Sequence, residues 1–260
     1  HIPSGHVEAG LRTGNLAEPF PEELNRVLTT RLAALHFAPT AQSAARLQAE
    51  GVPTCRIHVT GNTGIDALLW VRDALARGRL QGYSGPIQHD TPLILVTAHR
   101  RESFGEGFER ICDALLEIAA RLDVRIVYPV HPNPNVRAVV NRRLAGVNRI
   151  SLIEPLDYVP FVDLMSRASI LLTDSGGIQE EAPSLGKPVL VMRDATERQE
   201  AVEAGTATLV GTDPARIFSE VASLLQNSEF RSRGTIVHNP FGDGSACTRI
   251  ADLIHSFLST

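Results

Sequence analysis

Short apolar runs alternate with amphipathic stretches along most of this chain, and that rhythm limits the folds open to it. The strand candidates are Arg56–Thr60, Leu93–Thr97, Arg125–Val130, Ile150–Ile153, Ile170–Thr173, Val189–Met192 and Thr208–Val210. Helical patterns lie between them, at about 63–79, 107–121, 134–145, 158–167, 178–185, 198–204 and 214–226. The strands are rich in Val, Ile and Leu and lack clean period-2 alternation, as expected of a parallel sheet covered on both faces. From about 92 to 226 the order predicts a doubly wound α/β domain, in which ligands bind beyond the carboxyl ends of the strands.

The first 55 residues follow another pattern: a strand end at His1–Val7, a loop, a helix from about Glu22 to Leu35 and a second helix from about Ala41 to Glu50. Pro21-Glu22-Glu23 is a favourable helix start, with proline first and acids in the opening turn. So little strand cannot easily build its own core, so residues 1–60 are expected to be the back half of a first α/β domain, with 61–240 as the second. Gln81–Thr91 reads as a loop, and Asp243–Phe257 as a final amphipathic helix, the region 241–260 packing back towards the first domain. The chain opens on His1-Ile2-Pro3 without an initiator Met, so a front portion outside this sequence is expected.

Composition narrows the partners. A net charge of −4 gives no general attraction to nucleic acid or to an anionic membrane, so anion recognition has to be local. No apolar run is long enough to span a bilayer. The three cysteines are scattered and in no metal spacing, and are expected to be core thiols in a reducing cytoplasm. No cluster has metal-ligand spacing, and no cofactor motif is present.

Several polar phrases fall at strand ends. Thr173-Asp174-Ser175-Gly176-Gly177-Ile178-Gln179-Glu180-Glu181 turns from a strand through paired glycines into a helix, exposing main-chain N–H groups to an anion. Its glutamates lie one turn further in, where a carboxylate would accept from sugar hydroxyls. An ordinary turn with solvated acids is the plainer alternative. Thr97-Ala98-His99-Arg100-Arg101 puts one titratable and two permanently cationic side chains after another strand, either to neutralise a leaving pyrophosphate or as a solvated basic turn. His131 caps the next strand, a position more often structural than catalytic. Arg198, in Arg193-Asp194-Ala195-Thr196-Glu197-Arg198, is a phosphate or sugar contact or part of a solvated loop. In His6-Val7-Glu8-Ala9-Gly10-Leu11-Arg12, a histidine, a glutamate and an arginine leave a strand towards acid/base work and anion binding, or form a polar loop. Glu22 and Glu23 offer a second carboxylate, or simply serve the helix dipole.

Taken in order, HVEAGLRTG, PEELNR, VTGNTGIDAL, TAHRRESFG, YPVHPNPNV, LTDSGGIQEEAPSLGKPVLVMRDATER and NPFGDGSAC resemble the non-hydrolysing UDP-N-acetylglucosamine 2-epimerases of bacteria across essentially the whole chain. The resemblance implies two Rossmann-like domains in a GT-B-like arrangement, the first only partly present here. It implies interconversion of UDP-N-acetylglucosamine and UDP-N-acetylmannosamine by loss and re-addition of UDP through 2-acetamidoglucal, with no cofactor. Carried over by motif, Glu8 and Glu22 are the acid/base carboxylates and His99 lies at the leaving phosphate. Ser175, Gly176 and Gly177 hold the diphosphate, Glu181 the ribose, Phe161 the uracil through its backbone, and Arg198 the phosphate or sugar. Arg100 and His131 match an allosteric second site, and a cytoplasmic homodimer is the family's habit. The competing expectations are a GT-B glycosyltransferase using the same UDP site and a UDP-binding fragment without turnover.

Overall fold

The computed structural model describes residues 2–17, 20–85, 91–226 and 239–259. His1 and residues 86–90, expected in a strand end and a loop, lie outside the described residues. The chain forms two compact units: residues 1–70 with 239–260, and residues 71–238.

The first unit holds a three-stranded parallel sheet of β1 (Gly5–Val7), β2 (Leu35–Ala38) and β3 (Ile57–Val59), with β2 in the middle. Its helices are α1 (Glu22–Leu32), α2 (Ala41–Ala49), the front of α3 (Thr63–Ala76) and the last helix, α10 (Ala246–Leu258). The central strand corrects the sequence reading. The helix expected to reach Leu35 stops at Leu32, Ala33 turns extended, and all four residues of β2 are buried. Alanine and leucine favour helix locally, but pairing on both edges and packing on both faces outweigh a propensity of a few tenths of a kcal/mol per residue. Leu35 and Phe37 pack against Ile250 and Leu253 of α10, while Ala38 joins Ala44 and Leu47 of α2. Part of this core is supplied from some two hundred residues downstream, which no local window can show.

The second unit is a six-stranded parallel sheet in the order β6-β5-β4-β7-β8-β9. The strands are β4 (Leu93–Thr97), β5 (Arg125–Pro129), β6 (Ile150–Ile153), β7 (Ile170–Thr173), β8 (Val189–Val191) and β9 (Ala207–Leu209). The unit's first strand is therefore central, with the next two on one side and the last three on the other. This is the Rossmann order, and it makes the β4/β7 boundary the topological switch point, where the crevice for a ligand opens. One face is covered by α4 (Glu106–Arg121), α5 (Pro134–Leu144) and α9 (Pro214–Gln226), whose Phe108, Ile111, Leu115, Val136, Val140, Ile217 and Val221 share a core with Ile94, Val96, Ile126 and Leu172. Residues alternating with these, such as Leu95, Val127, Leu171 and Val189, are buried on the other face, where α6 (Tyr158–Arg167) packs against β4. The uninterrupted apolar runs in the sequence thus reflect burial on both sides. Cys112 lies in this core, and burial pushes its thiol up to about 12, whereas Cys55 and Cys247 are exposed, contrary to the expectation of three core thiols.

In the first unit the start of α10 is capped from α3. Asp66 accepts hydrogen bonds from the amides of Ala246 at 3.1 Å and Cys247 at 2.8 Å. Asp66→Ala is expected to cost about 1–2 kcal/mol, measured as a lower urea midpoint with faster amide exchange in the first turn of α10; unchanged exchange there would show the cap to be idle.

Candidate functional site

The C-terminal ends of β5, β4, β7 and β8 are neighbours, so His131, His99, Asp174-Ser175 and the Arg193–Arg198 loop are gathered along one sheet edge. At the switch point the Thr97 and Thr173 hydroxyls are 2.6 Å apart. Beyond them lies Asp174, wholly buried, whose Oδ2 accepts from the amides of His99 and Arg100, both at 2.7 Å. Its Oδ1 lies 3.3 Å from His99 Nδ1 and has no hydrogen-bond partner among the described residues. The His131 ring stacks on His99 at 5.4 Å and 18°, and its Nδ1 accepts from the Asn133 amide. Burial holds His99 below its ordinary value; Asp174 opposes that shift, while Arg100 and His131 add to it. His99 is therefore a neutral imidazole at pH 7, next to a buried carboxylate that would stabilise its charged form.

On the other side of the switch point, α7 (Gly176–Glu181) begins two residues earlier than the expected helix at 178. Ser175 is its extended N-cap, with no side-chain capping bond, and its amide donates to Thr173 Oγ1 at 2.9 Å. The two glycines differ. A Cβ on Gly176 would lie 2.6 Å from Arg198 Cζ, whereas one on Gly177 would meet nothing within 4 Å. Gly176 thus lets a guanidinium lie against the turn, and Gly177 is exposed over the first turn of a helix, where main-chain N–H groups lack intrahelical partners.

Arg198 is held there by acids. Its Nε donates to Glu180 Oε1 at 2.8 Å, and its NH1 lies 3.5 Å from Glu197. Glu197 also accepts from Arg193, which reaches Glu102 as well. Although burial pushes Glu197 up, its own backbone hydrogen bond, Arg193 and Arg198 together bring it down to about 2. The loop read as mixed charge is thus an ordered chain of ion pairs. Glu181 has a different setting: burial raises it to about 7, with the Tyr158 hydroxyl, 3.1 Å from Oε1, opposing the rise and Glu180 adding to it. Phe161 is in the first turn of α6, where its amide donates to Asp157 O at 3.1 Å.

In the first unit, Glu8 is exposed and has a left-handed backbone, φ 59°. A non-glycine residue there costs of order 1 kcal/mol and is found where the surroundings impose it. Gly10 fixes the following turn, since a Cβ would lie 2.2 Å from Ser43 O. Arg12, read as projecting towards an anion, is instead turned inwards, with Nε and NH2 on Glu50 at 2.6 and 2.9 Å and NH2 on Thr30 Oγ1 at 2.7 Å. Glu22 is exposed in the first turn of α1, while Glu23 is buried and accepts from the amides of Thr13 and Gly14, anchoring the loop. Three groups thus have an ordering role that the sequence did not show: Glu23, read only as a second carboxylate or a dipole partner, Asp174, named only within its motif, and Tyr158, not singled out at all.

A family model described as UDP-N-acetylglucosamine 2-epimerase matches residues 1–255. The UDP-N-acetylglucosamine 2-epimerase of Escherichia coli K12 is 58% identical over 259 residues, covering 97% of this chain and 69% of its own length. The crystal structure of the Neisseria meningitidis UDP-GlcNAc 2-epimerase bound to UDP-GlcNAc superposes with a TM-score of 0.90 at 46% identity, over 98% of this chain and 70% of that one. Staphylococcus aureus MnaA, in a co-structure with UDP, gives 0.90 at 44% identity, over 99% and 70%.

His99 should titrate below its ordinary 6.5 in an NMR pH series, and Asp174→Asn should lower it further, because the carboxylate is the one group raising it. Since the folded state disfavours the charged ring, His99's contribution lowers stability as pH falls through the unfolded value. A midpoint at or above 6.5 in the unaltered chain would contradict the assigned environment.

Proposed function

The chain belongs to the UDP-N-acetylglucosamine 2-epimerase family, and from that premise we propose that it interconverts UDP-N-acetylglucosamine and UDP-N-acetylmannosamine by elimination and re-addition of UDP. The observation that carries this reading is the meeting, at the β4/β7 switch point, of an imidazole, an open helix start and a guanidinium. Together these can receive a departing diphosphate.

The chemistry follows from what must move. A carboxylate takes the C2 proton, the C1–O bond breaks with its electron pair going to the β-phosphate oxygen of UDP, and a C1=C2 double bond forms in 2-acetamidoglucal. Return of UDP oxygen to C1, with a proton delivered to C2 from the other face, gives the epimer. Two carboxylates serve the two faces, and Glu8 and Glu22, both exposed in the first unit, are assigned these roles. Negative charge accumulates on the diphosphate in the transition state, so preorganised donors there lower the barrier. The amides at Gly176 and Gly177, the Arg198 guanidinium and His99 are assigned to it, with Ser175 completing the turn. Glu181 is assigned to the ribose and the Phe161 backbone to the uracil. Arg100 and His131 are assigned to a regulatory second site; the His131 ring stacked on His99 would let occupancy there reach the reacting phosphate.

A homodimer and a cytoplasmic setting complete the proposal, supported by the family likeness. No helix among the described residues is long and apolar enough to cross a membrane.

With UDP-N-acetylglucosamine in deuterated water and no acceptor sugar, the C2 hydrogen should exchange and the manno epimer should accumulate. Glu8→Gln is expected to abolish that exchange while UDP stays bound, and exchange at the wild-type rate would remove Glu8 from the acid/base pair. A C2 hydrogen that stays unexchanged, with UDP released only once an acceptor sugar is added, would point to a transferase instead. Replacing Ser175 by Ala together with Gly177 by Asp should weaken UDP about a hundredfold, through a lost donor and a like charge. Unchanged UDP affinity in calorimetry would refute the phosphate assignment.

A further inference from the structure

Tyr158 has no role in the reaction as set out above, yet its hydroxyl makes a direct side-chain contact to a group of the proposed ribose subsite. It is the first residue of α6, 40% exposed, and donates to Glu181 Oε1 at 3.1 Å. A tyrosine has only two side-chain torsions, and α6 packs on both β4 and the turn at Ala182–Leu185 that follows Glu181. The donor and the acceptor are therefore both anchored by the same body of the second unit. We propose that Tyr158 is the positioning residue of the ribose subsite: its hydroxyl holds the Glu181 side chain in the rotamer that meets the ribose diol, and so sets a preference for ribonucleoside over dideoxyribonucleoside diphosphates.

The chemistry supports this on two counts. A vicinal diol is two donors, and the acceptor that best satisfies both is an ionised carboxylate. Glu181 is poorly placed to remain ionised, because burial and the neighbouring Glu180 both raise it, to about 7. Of the groups acting on it, the Tyr158 hydroxyl is the one that works the other way, and phenylalanine at this position would remove it. The hydroxyl takes up one lone pair of Oε1 and leaves the carboxylate's remaining acceptor positions for the sugar.

The inference rests on the assignment of Glu181 to the ribose, and the test separates the two. Calorimetry on the full chain compares UDP with 2′,3′-dideoxy-UDP for the unaltered protein, Tyr158→Phe and Glu181→Gln. Tyr158→Phe should bind UDP about tenfold more weakly, the value of a lost hydrogen bond to a charged group, while its affinity for dideoxy-UDP stays within about twofold. The pH below which UDP affinity falls should also move up from about 7. If Glu181→Gln shows the unaltered ratio of the two affinities, the ribose assignment fails and Tyr158 with it. If Glu181→Gln collapses the ratio but Tyr158→Phe does not, the ribose assignment stands and the role of Tyr158 is overturned. Equal loss of both nucleotides by Tyr158→Phe also overturns it, since it would mark a packing residue.

Discussion

Asp174 is a carboxylate without solvent, placed where the strand order reverses. Removing a charge from water costs several kcal/mol unless hydrogen bonds replace its hydration. Here two main-chain amides supply that replacement, and both come from the turn that leaves the neighbouring strand, β4. The bonds run from the end of β4 to the end of β7, so the same interaction that makes the buried ion tolerable clamps the two loops of the crevice. The His99 ring, the Arg100 backbone and the start of α7 take their positions from it. A neutral residue of the same shape would preserve much of the packing, but it would lose the charge that accepts these bonds and offsets the effect of burial on His99.

A second device fixes the far wall. Acid and base alternate from Glu102 through Arg193, Glu197 and Arg198 to Glu180, joining the short turn after β4, the loop after β8 and α7. Isolated exposed ion pairs contribute little, but a partly buried network with shared members restrains each member's geometry. Its outcome is a guanidinium lying flat against a glycine, which requires both the network and the missing Cβ. An anion arriving at the turn would then meet a charge that is already ordered.

The sequence revealed most of the second unit because its strands are buried on both faces and its helices carry one apolar stripe. Phe108, Ile111, Leu115 and Ile118 recur at helical spacing, and Ile94, Leu95 and Val96 run without a polar break. The polar phrases at the strand ends were legible for the complementary reason, since nothing in an apolar core accounts for a histidine and two arginines in succession. What stayed hidden was non-local. No strand is read at Leu35–Ala38, whose first residue ends an expected helix, because two other strands and a distant helix define it, and Arg12 reads as a free cation until Glu50, 38 residues on, is seen to hold it. Asp174 was visible only as a neighbour of Ser175, because its burial and its partners depend on a strand some 75 residues earlier. Tyr158 went unread for the same reason, since its partner Glu181 lies 23 residues further on.

The cap that Asp66 places on α10 has a bearing on how the molecule comes into being. One unit is continuous in the chain, while the other closes around Phe37 only when Ile250 reaches it. During synthesis the continuous unit can therefore acquire its shape on the ribosome, while the Leu35 and Phe37 side of β2 waits for α10 to emerge. A strand made before the continuous unit thus completes its core after it, and it is the Leu35–Phe37 face that a nascent-chain chaperone would have most reason to shield.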